Sequence, residues 1–241
     1  MNAAEAVLPA KQHRRVGMIS LGCPKNLVDA EIMLGQLRQE SEVSITNDLE
    51  EADVVIVNTC GFIDAAKQES IDTILEVAEQ KGQGLERLIV TGCMVQKYRT
   101  DLQQSIPEID AFVGLDHLEQ ITSAVTGVAT EDLAPTRRKM SQRLYEDLPR
   151  VLVHGTAHAY LKVSEGCSNP CTFCSIPQMR GKFRSRGIEG LVREAQQLQL
   201  AGVQELNLVA QDTTRYGEDI GIHQGLTKLV ETLLRETDFR W

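Results

Sequence analysis

The chain has 241 residues, 42% of them hydrophobic and 24% charged, which excludes a disordered, collagenous or disulfide-miniprotein chain and leaves room for one large domain or two small ones. No stretch approaches the roughly 18 consecutive apolar residues of a membrane span. The N-terminus carries its basic residues after its short apolar run, the reverse of a signal peptide, so a cytoplasmic protein with no membrane partner is expected. The net charge of −9 is uneven: residues 1–126 hold 10 Lys+Arg against 20 Asp+Glu, and residues 127–241 hold 15 against 14. The first half therefore favours a basic partner over nucleic acid.

In chain order, short apolar β-branched runs predict buried parallel strands over 16–21, 54–57 and 88–90. Each is followed by a helical period, over 27–39, 63–78 and 95–104. Shorter strands at 43–46 and 111–113 and a closing helix near 118–125 complete an α/β domain over 14–126. Residues 127–156 contain Pro135, Pro149 and the run Arg137-Arg138-Lys139 without a sustained period, and read as a linker. The unit over 157–241 then shows a strand at 159–163, a cysteine loop, a helix at 188–200, a strand at 205–209 and a helix at 226–234. Phe239 and Trp241 mark the start of a third strand, so this is the opening of a parallel (β/α) barrel. The fold class expected is α/β, an N-terminal open parallel sheet followed by an incomplete barrel.

Six cysteines divide into two sets. With no secretion signal, metal ligation or catalysis is favoured over disulfides. Cys167-Ser168-Asn169-Pro170-Cys171-Thr172-Phe173-Cys174 places three thiols in one loop, with no fourth cysteine or nearby histidine to complete a tetrahedral zinc site. A three-thiolate cup with one open position suits a 4Fe-4S cube whose fourth iron binds substrate or cofactor. Cys23, Cys60 and Cys93 are dispersed, and a lone cysteine is most often a small buried hydrophobe. Yet each stands just beyond a predicted strand, where open parallel sheets gather their ligand-binding loops. Three structural cysteines have no reason to share that place, so they point to a second three-thiolate site.

Other features carry less. His154 and His158 have i,i+4 spacing but lie in linker and incipient strand, the wrong context for zinc. Gly82 and Gly84 precede a strand instead of following one, so they form no dinucleotide loop. Arg180, Lys182, Arg184 and Arg186 form a basic patch that reads equally as a solvated loop.

The cysteine loop at the end of a first barrel strand, with an aromatic before its last cysteine, resembles the radical S-adenosylmethionine enzymes, and the preceding three-cysteine domain resembles that of the methylthiotransferases. Five segments are similar to the branch that modifies an aspartate of a small-subunit ribosomal protein. They are 20–29 (SLGCPKNLVD), 57–64 (VNTCGFID), 164–167 (SEGC), 176–181 (IPQMRG) and 210–217 (AQDTTRYG). The resemblance implies two 4Fe-4S clusters, one on Cys167, Cys171 and Cys174 and one on Cys23, Cys60 and Cys93, with S-adenosyl-L-methionine as cofactor. It implies reductive cleavage of that cofactor to a radical that activates the aspartate β-carbon, with sulfur and methyl passing from the second cluster. No residue is given an acid–base catalytic role. Phe173 is expected to pack on the adenine, Arg180 and Arg184 to neutralise the cofactor carboxylate or guide substrate, and Gln211 and Asp212 to contact the cofactor at the end of the second barrel strand. A ribosomal-protein substrate, possibly on the ribosome, a reductant such as flavodoxin, and a monomeric state complete the expectation. A tRNA adenosine methylthiotransferase and a non-catalytic iron–sulfur fragment remain as alternatives. The resemblance also implies about six βα units and a C-terminal β-domain where only two units are visible, so a truncated chain, inactive alone, is expected.

Overall fold

The computed structural model describes residues 13–127 and 147–241. Pro135 and the 137–139 charge run lie outside the described residues. The first unit alternates β1 (Arg14–Ser20), α1 (Pro24–Leu37), β2 (Val43–Ile45), β3 (Val54–Thr59), α2 (Asp64–Ala78), β4 (Arg87–Gly92), α3 (Cys93–Ser105), β5 (Ala111–Val113) and α4 (Ile121–Thr126). Its five strands are all parallel, in the order β2-β1-β3-β4-β5. Alternation along β3 divides the core. Val54 and Ile56 face Ala30, Met33 and Leu37 of α1 with Ile121 and Val125 of α4, whereas Val55 and Val57 face Ile74 and Val77 of α2 with Val95 and Leu102 of α3. Both faces are covered by helices, which is why the strands read as continuous apolar runs.

The boundaries differ from expectation where local chemistry intervenes. α1 begins three residues early because Pro24 occupies its first turn, where a missing N–H costs nothing. α3 begins at Cys93 itself and is kinked at Tyr98, so the thiol stands on the helix and not in a loop before it. The closing helix opens with a 3₁₀ turn over Leu118–Gln120.

The second unit comprises β6 (His158–Lys162), β7 (Ser164–Glu165), α5 (Ile176–Arg180), β8 (Arg184–Ser185), α6 (Ile188–Leu200), β9 (Glu205–Val209) and α7 (Gly225–Glu236). β6 and β9 pair in parallel, and Leu161 and Val163 pack on Leu191 and Ala195 of α6 and Leu229 and Leu233 of α7. The β7–β8 antiparallel ladder joins the segments on either side of the cysteine loop and the short α5 follows it, elements that the period of the sequence does not predict. No strand forms at 239–241. Even so, the Leu206 N–H donates to the Trp241 carbonyl and the Arg240 N–H to Gln204, so this segment lies along β9. Among the described residues no helix is long and apolar enough to cross a membrane.

Residues 149–153, expected as linker, pack on α1, with the Val151 N–H donating to the Glu31 carbonyl at 3.0 Å. α1 is shared by both units. Ala30, Met33 and Leu37 face the sheet, while Asn26, Asp29 and Glu31 reach the second unit.

Candidate metal centres

The strand order decides the first set. The chain runs outward from β1 to β2 and returns to β3 on the other side, so β1, β3 and β4 lie side by side although β2 intervenes in sequence. The crevice at such a reversal is where doubly wound sheets bind ligands. Cys23 follows β1, Cys60 follows β3 and Cys93 follows β4, all at the carboxyl ends. The loops are pressed together: a Cβ on Gly22 would sit 2.6 Å from the Cys60 Cβ and 3.0 Å from its Sγ. The Asn26 side chain ties two of them by donating to the Leu21 carbonyl at 3.1 Å and the Thr59 carbonyl at 2.8 Å. Cys60 is anchored by Ser70, whose hydroxyl accepts from the Cys60 N–H and donates to its carbonyl. Gly92 has φ +97°, and a Cβ there would lie 2.4 Å from the Thr59 carbonyl oxygen, so only glycine lets β4 turn straight into α3 at Cys93.

Cys93 is buried, and burial pushes its thiol up to about 11 against the opposing pull of the Arg180 guanidinium. Its Sγ–H donates to the Asn26 Oδ1 at 3.4 Å, and it accepts from the Arg180 Nε–H at 3.2 Å. A coordinated cation would instead remove the proton outright. All six cysteines are free thiols.

The second set lies on a loop. Gly166 has φ +73°, and a Cβ there would meet the Lys182 carbonyl oxygen at 2.3 Å, so glycine lets the outgoing and returning arms close together. The Cys167 N–H donates to the Gly181 carbonyl and the Cys174 N–H to the Cys171 carbonyl, which folds the loop back on itself. Cys171 is exposed, Cys167 and Cys174 are half-buried, and Phe173 is 87% exposed with its ring in solvent. Asn169 links the loop to the end of β9 by donating to Asp212 at 3.2 Å and accepting from Arg215 at 3.1 Å. Asp212 caps the turn Thr213–Arg215; the Thr214 hydroxyl, followed by Asn169, holds its carboxyl below the ordinary aspartate value against a smaller effect of burial. Gln211 donates to Glu165 at 3.2 Å, and its own buried Oε1 has no protein partner.

Among the described residues no three His, Cys, Asp or Glu side chains converge tightly enough for a single metal ion. A 4Fe-4S cube takes each cysteine on a different iron, so its thiolates surround it and do not meet at one point. Two sets of three free thiols offer the soft sulfur donors that iron–sulfur clusters take and that calcium does not.

Arg180, expected at a cofactor carboxylate, is 1% exposed and faces the first unit. Its Nη1 donates to both Glu165 oxygens, its Nη2 to Asn26 and Asp29, and its Nε to the Cys93 sulfur. All three guanidinium nitrogens thus donate to partners within the protein. The basic patch is therefore not a solvated run: Arg180 and Arg186 are buried in ion pairs, Arg184 donates to the Arg180 carbonyl, and Lys182 remains exposed.

Sequence reasoning missed the partners. Lys162 of β6 pairs with Asp29 and Glu165, and Arg150 pairs with Glu31 and Glu194, while Arg186 also pairs with Glu194. Four acids and four bases thus balance where α1, the 149–153 segment and the second unit meet. The available signal was a charge inside an apolar element: Asp29 and Glu31 within Val28–Leu34 of α1, and Lys162 between Leu161 and Val163.

Comparison with known proteins places these features in a wider set. Residues 15–114 match the model of uncharacterized protein family UPF0004. The chain is 50% identical over 221 residues to the ribosomal protein uS12 methylthiotransferase RimO of Solibacter usitatus, a match covering 91% of this chain and 46% of that protein. It is 42% identical to the protein of the same description from Koribacter versatilis (97% of this chain, 55% of that one) and 47% identical to that from Clostridioides difficile (94% and 51%). The chain spans about half the length of these curated relatives. Among solved structures it resembles a radical S-adenosylmethionine methyltransferase, TsrM from Kitasatospora setae, with cobalamin and a [4Fe-4S] cluster bound, at TM-score 0.59 and 14% identity over 92% of this chain and 52% of that one. It also resembles the cobalamin-dependent S-adenosylmethionine radical enzyme OxsB at TM-score 0.53 and 10% identity, over 93% and 37%. At these identities the likeness is one of fold.

Proposed function

We propose, from the likeness of this chain to its RimO relatives, that the whole protein attaches a methylthio group to the β-carbon of an aspartate in a small-subunit ribosomal protein. In this reading Cys167, Cys171 and Cys174 hold one 4Fe-4S cluster and Cys23, Cys60 and Cys93 a second. With S-adenosylmethionine bound, these groups supply the one-electron chemistry, sulfur and methyl that no side chain of this chain can provide.

The protein's own residues position and exclude. Asn26, Ser70 and Gly92 hold the three strand-end loops together, so the first set needs little rearrangement to receive its cluster. Phe173, standing free beside Cys171, offers a flat apolar face for the adenine. Gln211, with one buried oxygen unpartnered, and Asp212, tied to the cysteine loop through Asn169, line the approach from the β9 side. Arg184 stays near the loop as the patch's second candidate for an anionic group. The acidic first half suits a basic ribosomal protein. The reading extends to a cytoplasmic monomer reduced by a carrier such as flavodoxin.

The observation that carries this reading is the sheet order, which sets three cysteine-bearing strand ends next to one another and beside the unit with the second set. The test is anaerobic iron and sulfide loading, followed by incubation with S-adenosylmethionine, reductant and ribosomal protein uS12. Two clusters per chain and a methylthio group on uS12 in mass spectra are expected. Modification of a tRNA adenosine instead, or bound iron without formation of 5′-deoxyadenosine in the full-length protein, would overturn it.

A further inference from the structure

We propose that Arg180 is a positioning residue for the Cys93 sulfur, reaching from the second unit to set the geometry and reduction potential of the cluster held by the first. This rests on the reading of Cys23, Cys60 and Cys93 as cluster ligands.

Arg180 ends α5, six residues beyond Cys174, yet its Nε–H points at Cys93, which heads α3 of the other unit. The two helices pack through Met179, which shares a buried cluster with Cys93 and Leu115. The guanidinium cannot drift. Glu165 takes Nη1 through both oxygens and Asn26 and Asp29 take Nη2, so acceptors at both terminal nitrogens fix the plane. Only Nε remains, and the plane so fixed directs it at sulfur. Asn26 acts at both ends, since its Oδ1 faces both Arg180 and the Cys93 thiol.

A cation donating to a ligand sulfur stabilises the more negative, reduced state of a cluster, and hydrogen bonds to sulfur are among the main determinants of cluster potentials. Partners that orient ligands commonly contribute 10–100-fold to metal affinity. Lys162 carries the same charge into the same acidic pair but touches no cysteine, so a bulk charge balance alone does not require the Nε contact. The two cysteine sets are thereby joined by one side chain.

The test uses this chain with Cys167, Cys171 and Cys174 replaced by Ser, so that only the first set can load. In that background Arg180→Lys keeps the charge and removes the fixed fork, and Arg180→Gln removes the charge. Glu194→Gln serves as comparison, because it removes the buried carboxylate that pairs with Arg150 and Arg186 and touches no cysteine. Expected are a more negative potential by EPR-monitored titration for Arg180→Gln, a smaller shift in the same direction for Arg180→Lys, and iron loss to a chelator faster by about tenfold. Glu194→Gln is expected to lower the melting temperature with the potential unchanged. Equal shifts in all three variants, or none in the Arg180 pair, would reject the positioning role while leaving the cluster assignment intact. Failure of the triple-Ser parent to bind iron would reject both.

Discussion

Cys60 and Cys93 stand buried at the ends of β3 and β4, whereas Cys171 lies exposed on a loop held by two backbone hydrogen bonds and the short β7–β8 ladder. The first set is placed by a five-stranded sheet with both faces covered, so its geometry is paid for by the whole core. The second set is placed by local turns and by the contacts of Asn169 with Asp212 and Arg215. A sheet-borne site is stiff and a loop-borne one stays accessible, and under the proposed reading that accessibility suits a centre that admits a small-molecule cofactor.

Asp29→Ala would test the stiffness of the first region most severely. It leaves Lys162 and Arg180 sharing Glu165 alone, and breaking such a buried pair costs about 3–5 kcal/mol. Urea denaturation should show that loss; a change below about 1 kcal/mol would mean the interface is not held as described. Gly92→Ala and Gly166→Ala each push a Cβ into a carbonyl oxygen with the backbone at positive φ, at a cost of about 1–3 kcal/mol. The comparison predicts the larger drop in melting temperature for Gly92, because the sheet around it cannot yield as the loop around Gly166 can.

Glu194 supplies a pH test. Burial raises its carboxyl, but the Arg186 and Arg150 guanidiniums outweigh that and hold it below the ordinary glutamate value. A folded-state value below the unfolded one means stability present above the ordinary glutamate range and lost as pH falls through it toward the folded value. Unfolding free energy should therefore decline only as pH falls below the ordinary glutamate value of 4.5, and Glu194→Gln should flatten the slope there; an unchanged slope below that value would remove Glu194 from the acid response. The smallest stability effect is expected for Phe173→Ala, since a ring already in solvent loses no burial. Its melting curve should overlay the parent's while binding of S-adenosylmethionine by calorimetry weakens several-fold; equal binding would separate Phe173 from the adenine.

Much of this was legible in the residues. The strands at Ala111–Val113 and Glu205–Val209 and the helix Ile188–Leu200 stand where periodicity put them, because each contrasts sharply with polar flanks. So did the placing of Cys23, Cys60 and Cys93 beyond strand ends. The ladder Ser164–Glu165 with Arg184–Ser185 was not legible, since two residues per strand carry no period. Arg180 illustrates the deeper difficulty. Four basic residues in seven look the same in sequence whether they meet solvent or acids from a helix about 150 positions away.

Patterns with a short period, and motifs whose members adjoin, are written into the chain: the βα alternation and the cysteine loop over 167–174. Which strands become neighbours is not, because hydrogen bonding between parallel strands is indifferent to their distance in sequence. The tertiary structure alone set β1 between β2 and β3, and so brought three separated thiols to one crevice. It alone turned Arg180 away from solvent and onto Cys93, because a charge taken out of water settles where other buried charges can meet it.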